Sequence, residues 1–216
     1  MTGFIYNDVV DIELDRLAKK ERPIALGLLS KRTALLATAG ISLSSILTAF
    51  MLFELATSSL LLITSIAVLL YSHASTYLPL VKGPYVGALA VFPFMVGYSV
   101  GKGEVHLGAL SVVFSYICFR EMLLDIADRT ADLAYGKRTI AAYLPRESLW
   151  VPWLGMMCSL MLGFAVIDGY QGQILISLAV AAQLFFLILS NRDLALAIRG
   201  TRIVMLIGVG AACLSG

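Results

Sequence analysis

The chain has 216 residues, of which 59% are apolar and only 14% charged, and its mean hydropathy is +0.89. A globular chain carries about 25% charged residues, so water is excluded as the main solvent for most of this sequence. The formal net charge of +2, with basic residues scattered among short segments, argues against nucleic acid as a partner.

In chain order, the stretch Met1 to Tyr6 is too short and too closely followed by acids to be a signal peptide, and reads as the tail of a helix. An acidic segment follows, NDVVDIELDRLAKKERP from Asn7 to Pro23. Crossing about 30 Å of hydrocarbon takes roughly 20 apolar residues as helix, with about 17 to 25 as the range. Seven blocks emerge on that scale, the fourth and the last of them short: Thr33 to Phe53, Ser58 to Pro79, Pro84 to Gly101, Val105 to Phe119, Leu149 to Ile167, Gly172 to Ser190 and Arg202 to Gly216. They are continuous rather than alternating, which excludes a β-barrel and predicts an all-α, polytopic transmembrane bundle. Breaks fall at Lys82-Gly83-Pro84, at Gly101-Lys102-Gly103 and between Gly169 and Gly172, and no stretch reads as a linker, so residues 1–216 are taken as a single domain. Seven spans force the loops to alternate between faces. All but one of the 16 Lys and Arg residues then fall on the same face, Lys102 being the exception. The positive-inside rule makes that face cytoplasmic and the chain an integral protein of the cell (inner) membrane. Cys118, Cys158 and Cys213 lie inside apolar blocks without metal-ligand or redox spacing and read as small hydrophobes.

A second acidic segment, REMLLDIADRTADLAYGKRT from Arg120 to Thr139, falls on the same face as the first. Asp8, Asp11 and Asp15 are spaced by three and then four residues, and Asp125, Asp128 and Asp132 repeat that spacing. On a helix each triplet forms one stripe. Like charges at that spacing repel, and an anionic leaflet adds to the cost, so a compensating cation is expected. Mg²⁺ suits carboxylate oxygens and keeps coordination positions for water and phosphate, so two facing stripes could hold a diphosphate through bridging metal. Arg16, Lys19, Lys20 and Arg22 follow the first stripe, Lys137 and Arg138 follow the second, and Lys82 lies in the third loop. Such cations stabilise charge on a departing phosphate. The blander alternative is that each stripe is a solvated helix end with acids and bases paired for solubility.

These residues resemble the UbiA superfamily of intramembrane prenyltransferases. The first signature of that superfamily, N-D-x-x-D-x-x-x-D with a basic stretch and R-P, is filled by Asn7, Asp8, Asp11, Asp15, Arg22 and Pro23. The second, D-x-x-D-x-x-x-D followed by G and T, is filled by Asp125, Asp128, Asp132, Gly136 and Thr139. Tyr71-Ser72, Lys82, Gly83 and Gly87 look like features found between the two. The resemblance implies a nine-span fold. This chain begins six residues before the first signature, so it is expected to be an N-terminally shortened form lacking the first two helices. The resemblance also implies that Asp8, Asp11, Asp15, Asp125, Asp128 and Asp132 are catalytic and hold Mg²⁺. Asn7, Lys19, Arg22, Tyr71, Lys82, Lys137 and Arg138 are implied to contact the diphosphate. The implied reaction ionises a prenyl diphosphate and transfers the prenyl group to the aromatic ring or hydroxyl of an aromatic or other lipophilic acceptor while the buried cavity keeps out water.

A CDP-alcohol phosphotransferase would need a D-G-x-x-A-R start that neither segment has, and a transporter would carry its acids within the spans. Tyr71 fits an interface anchor as well as a diphosphate contact. His73 fits a hydrogen-bonded packing residue or a functional one. Glu54, Glu104 and Asp168 read as boundaries at the opposite face. Gly155, Gly163, Gly208 and Gly210 are candidates for close helix approach.

Overall fold

Hydrocarbon offers the backbone no water to bond, so each apolar block closes its own hydrogen bonds as a helix. In the computed structural model, residues 2–17, 21–101, 105–134, 136, 139–144 and 146–214 are described. Two short helices, α1 (Thr2–Val10) and α2 (Ile12–Leu17), precede α3 (Lys31–Leu52), α4 (Leu55–Tyr77), α5 (Lys82–Gly101) and α6 (Leu107–Ala134). After the one-turn α7 (Ile140–Tyr143) come α8 (Trp150–Val166), α9 (Tyr170–Leu189) and α10 (Leu194–Cys213). Six of these, α3, α4, α5, α6, α9 and α10, are long and apolar enough to cross a membrane. The apolar α8, at 17 residues, sits at the short end of the spanning range. The all-α, polytopic architecture expected from the sequence is therefore the one observed.

Each long helix packs on the next in chain order, and α10 returns to α6. Neighbours run antiparallel. Thr57 and Ser99 share a hydrogen bond of 2.7 Å at one end of the α4–α5 pair, whereas Tyr85 Oη donates to the Ala67 carbonyl toward the other. The core lies among α6, α8, α9 and α10, where Leu123, Met156, Leu160, Ile176 and Val204 are fully buried. Leu36, Leu43, Leu47 and Met51 of α3 are exposed, as suits a lipid-facing helix. α1 lies against α3 and α4, with Val9 packed on Ile24 and Ala34.

Two boundaries differ from expectation. The fourth block, expected to end at Phe119, is part of one continuous 28-residue helix, about 42 Å at 1.5 Å per residue and longer than the hydrocarbon is thick. Gly136, at φ 81°, turns the chain just after that helix in a conformation that glycine adopts without strain. The last span starts at Leu194 rather than Arg202, because Asp193 caps the helix by accepting from the Leu196 N–H at 2.8 Å. Arg199 and Arg202 are therefore helical and not in a loop. Gly155 and Gly163 do mark close approaches, since an added Cβ would come within 2.2 Å of Phe119 and 2.8 Å of Ile176. Gly208 and Gly210 do not, having only ordinary contact distances of 3.8 and 3.6 Å.

Candidate active site

The first aspartate stripe survives a bend at Asp11 between α1 and α2. The helical bonds continue through it, Asp11 N–H to the Asn7 carbonyl and Asp15 N–H to the Asp11 carbonyl, both 2.8 Å. Asp8, Asp11 and Asp15 thus keep the helical spacing that aligns them. α1 runs alongside α4, and two successive rungs join them. Tyr6 Oη and His73 Nε2 are 2.9 Å apart, and Ser72 Oγ donates to Asn7 Oδ1 at 3.2 Å. Asn7 Nδ2 in turn donates to Asp11 Oδ2 at 2.9 Å. Asn7 is thereby oriented by α4 and orients Asp11. Arg22 reaches back to Asp8 at 2.9 Å, fastening the loop after α2 to the stripe. Arg16 is engaged elsewhere, with Glu13 at 2.9 Å and the Ala25 carbonyl at 3.3 Å. His73 is hydrogen-bonded, as one of its two readings held, but its ring is exposed.

Across the bundle, the start of α5 meets the second half of α6. The backbones approach closely, since a Cβ on Gly83 would stand 3.2 Å from the Cys118 carbonyl oxygen and one on Gly87 3.0 Å from that of Phe114. This seam brings Lys82 Nζ to 2.5 Å from Asp125 Oδ1 and 3.7 Å from Glu121 Oε2. Glu121, only 7% exposed, turns its other oxygen to Arg120 at 3.4 Å. Arg120 Nε donates to Thr201 Oγ1 of α10 at 3.1 Å. Tyr116, one turn away on α6, donates to Gln183 Oε1 of α9 at 2.9 Å. The four charges Lys82, Arg120, Glu121 and Asp125 sum to zero, which is how a bundle tolerates them at this depth.

The two stripes converge. α2 packs on α6. Tyr71, whose ring lies 6.1 Å from that of Tyr85, is within electrostatic reach of Asp11 on one side and of Lys82, Glu121 and Asp125 on the other. Asp15 and Asp132 are buried at this end as well. Asp128 lies one turn beyond Asp125 on α6. Lys19, Lys137 and Arg138 lie outside the described residues, as do Lys20 and Glu104. Among the described residues no three His, Cys, Asp or Glu side chains gather tightly enough to form a metal site by themselves. The donors are nonetheless all carboxylates, the hard oxygen type that suits Mg²⁺, an ion usually held by one or two carboxylates together with substrate phosphates and water.

A family model described as the UbiA prenyltransferase family matches residues 1–199. This chain belongs to the UbiA prenyltransferase family. It is similar to the digeranylgeranylglyceryl phosphate synthase of Methanothrix thermoacetophila, 26% identical over 97% of this chain and 78% of that one. The same-named protein of Korarchaeum cryptofilum is 30% identical over 88% of this chain and 69% of its own length. Among solved structures, the apo UbiA homolog from Aeropyrum pernix K1 superposes with a TM-score of 0.80 at 18% identity, covering 99% of this chain and 84% of that one. A structure of digeranylgeranylglyceryl phosphate synthase gives 0.65 at 18% identity, covering 99% and 80%. The chain is thus a membrane-integral prenyltransferase of the UbiA family.

Against this UbiA-family frame, sequence reasoning missed Arg120, Glu121, Gln183 and Thr201. Arg120 and Glu121 sit at the end of an apolar block and read as the start of a loop. Their one available signal was Glu121 itself, four residues before Asp125 and so on the same helix face.

Proposed function

We propose that this prenyltransferase moves a prenyl group from a prenyl diphosphate to a glycerol phosphate acceptor, with Mg²⁺, at the bundle end where α1, α2, α4, α5 and α6 meet. The observation that carries the reading is that Asp11, hydrogen-bonded by Asn7, and the Lys82–Asp125 pair all lie within electrostatic reach of Tyr71. The acceptor comes from the names of the similar proteins, digeranylgeranylglyceryl phosphate synthases, and narrows the aromatic or other lipophilic acceptor that the family resemblance implied to a glycerol phosphate.

Asp8, Asp11, Asp125 and Asp128 are the carboxylates proposed to hold the metal, with Asp15 and Asp132 behind them. When bound, Mg²⁺ supplies positive charge to the diphosphate oxygens and makes that group a better leaving group. Arg22 and Lys82 stand paired with Asp8 and Asp125, and their cations are available to the outer phosphate oxygens as charge grows on them. Tyr71 offers a hydroxyl between the two halves. Lys19, Lys137 and Arg138 are proposed to add positive charge toward the diphosphate. The bond from the allylic carbon to the diphosphate oxygen breaks with its electron pair leaving on the diphosphate, and the acceptor's hydroxyl oxygen bonds to that carbon as its proton passes to the released diphosphate. The apolar bundle holds the prenyl tail and excludes competing water. The basic segments on the same face support a cytoplasmic orientation in the cell membrane.

The test is transfer of labelled geranylgeranyl diphosphate by the full chain in liposomes, with Mg²⁺ or EDTA. A prenylated glycerol phosphate and 4-hydroxybenzoate are offered in parallel. Mg²⁺-dependent label on the glycerol phosphate alone is expected. Label on 4-hydroxybenzoate alone would return the acceptor to the aromatic class, and label on neither would overturn the reading.

A further inference from the structure

Glu121 belongs to neither aspartate signature, yet it is buried and its two oxygens face two cations on opposite sides. Oε1 meets Arg120 at 3.4 Å and Oε2 meets Lys82 at 3.7 Å. Arg120 is itself held from a third helix, because the Thr201 hydroxyl donates to its own helix at Ile198 O and so turns its lone pair toward Arg120 Nε, 3.1 Å away. A tether therefore runs from α10 through Arg120 and Glu121 to Lys82 at the start of α5. Lys82 has a closer partner in Asp125. Asp125 cannot serve two cations equally well. If its carboxylate turns to a metal–diphosphate complex, Lys82 loses its short hydrogen bond and would be left charged at membrane depth, which is costly without a counterion. Glu121 already lies within ion-pair distance and would supply that counterion.

We propose that Glu121 is a positioning residue. Fixed by Arg120 and Thr201, it holds the Lys82 ammonium aimed into the site when Asp125 engages the substrate complex. It is not a metal ligand, since both of its oxygens face protein cations. The inference rests on the prenyl diphosphate reading above and deepens it.

The experiment is steady-state transfer by the full chain in liposomes, with prenyl diphosphate and Mg²⁺ varied independently, for wild type, Glu121→Gln, Glu121→Asp and Thr201→Val. For Glu121→Gln we expect the KM for prenyl diphosphate to rise about tenfold, the equivalent of about 1.4 kcal/mol, with half-saturating Mg²⁺ unchanged. Glu121→Asp should recover part of the loss. Thr201→Val should shift KM in the same direction by a smaller factor, and it keeps the test open if Glu121→Gln does not insert. A wild-type KM in both Glu121→Gln and Thr201→Val would overturn the inference, and so would a raised Mg²⁺ requirement, which would make Glu121 a ligand. A wild-type chain that neither binds nor turns over prenyl diphosphate would overturn the underlying reading along with it, whereas an active wild type with indifferent variants removes only Glu121's role.

Discussion

The seam between α5 and α6 fixes how far Lys82 stands from Asp125, and a single methyl group tests it. In Gly87→Ala the new Cβ would lie 2.9 Å from Cys118 Sγ, 3.0 Å from the Phe114 ring and 3.0 Å from the Phe114 carbonyl oxygen. The last of these is backbone and cannot rotate away, so the helices must separate. Overpacking of this kind costs about 1–3 kcal/mol. Replacing Gly by Ala in a helix also gains about 0.8–1.0 kcal/mol from propensity alone. Gly97→Ala on the same helix isolates that gain, because nothing lies within 4 Å of its Cβ. Gly87→Ala should therefore be less stable than Gly97→Ala by about 1–3 kcal/mol, read as the difference in midpoint of reversible SDS unfolding in mixed micelles. Lys82 lies five residues, about 7.5 Å, along the helix from the new methyl. Widening the seam there should raise the KM for prenyl diphosphate severalfold, while Gly97→Ala leaves it alone. Equal stability and equal KM in the two variants would refute the close packing and the idea that it sets the Lys82–Asp125 distance.

Asp11→Ala and Asp128→Ala should each abolish transfer while leaving expression and membrane insertion intact; Mg²⁺-dependent turnover retained by both would remove these carboxylates from the mechanism. Lys82→Met should destabilise the bundle by about 3–5 kcal/mol, because it leaves the buried carboxylates of Glu121 and Asp125 without their shared cation. Adding Glu121→Gln to it should restore part of that loss in the same unfolding assay. Tyr116→Phe strands the buried Gln183 oxygen and should cost about 1–3 kcal/mol in stability without changing KM, since the pair lies deeper in the core than the site. EDTA should stop transfer without loss of helical circular dichroism, with activity returning on addition of Mg²⁺.

What the sequence carried best was whatever depends on short-range spacing. Five of the seven apolar blocks are long enough to be recognised as spans outright, and the helical arrangement of Asp8, Asp11 and Asp15 follows from offsets of three and four. The ends of α6 and α10 were not legible in the same way. A hydropathy reading treats each charge as if it stood alone in lipid, so it ends a span before Arg120 and delays another until Arg202. In the folded bundle Arg120 is paired with Glu121 and Thr201, and Arg202 lies exposed on the surface of α10, so neither residue need end a span.

The same limit explains what was missed in the site. Ser72 and Asn7 are 65 residues apart, Lys82 and Asp125 43, and Arg120 and Thr201 81. No local pattern encodes which of many polar groups in a bundle will meet. Charge balance gives a partial substitute. A Lys that opens a membrane helix needs an acid at the same depth, and one helical face of α6 offers two, at Glu121 and Asp125. Only one of these belongs to an aspartate signature. The other therefore needs a reason of its own to be buried there, and steadying Lys82 gives it one.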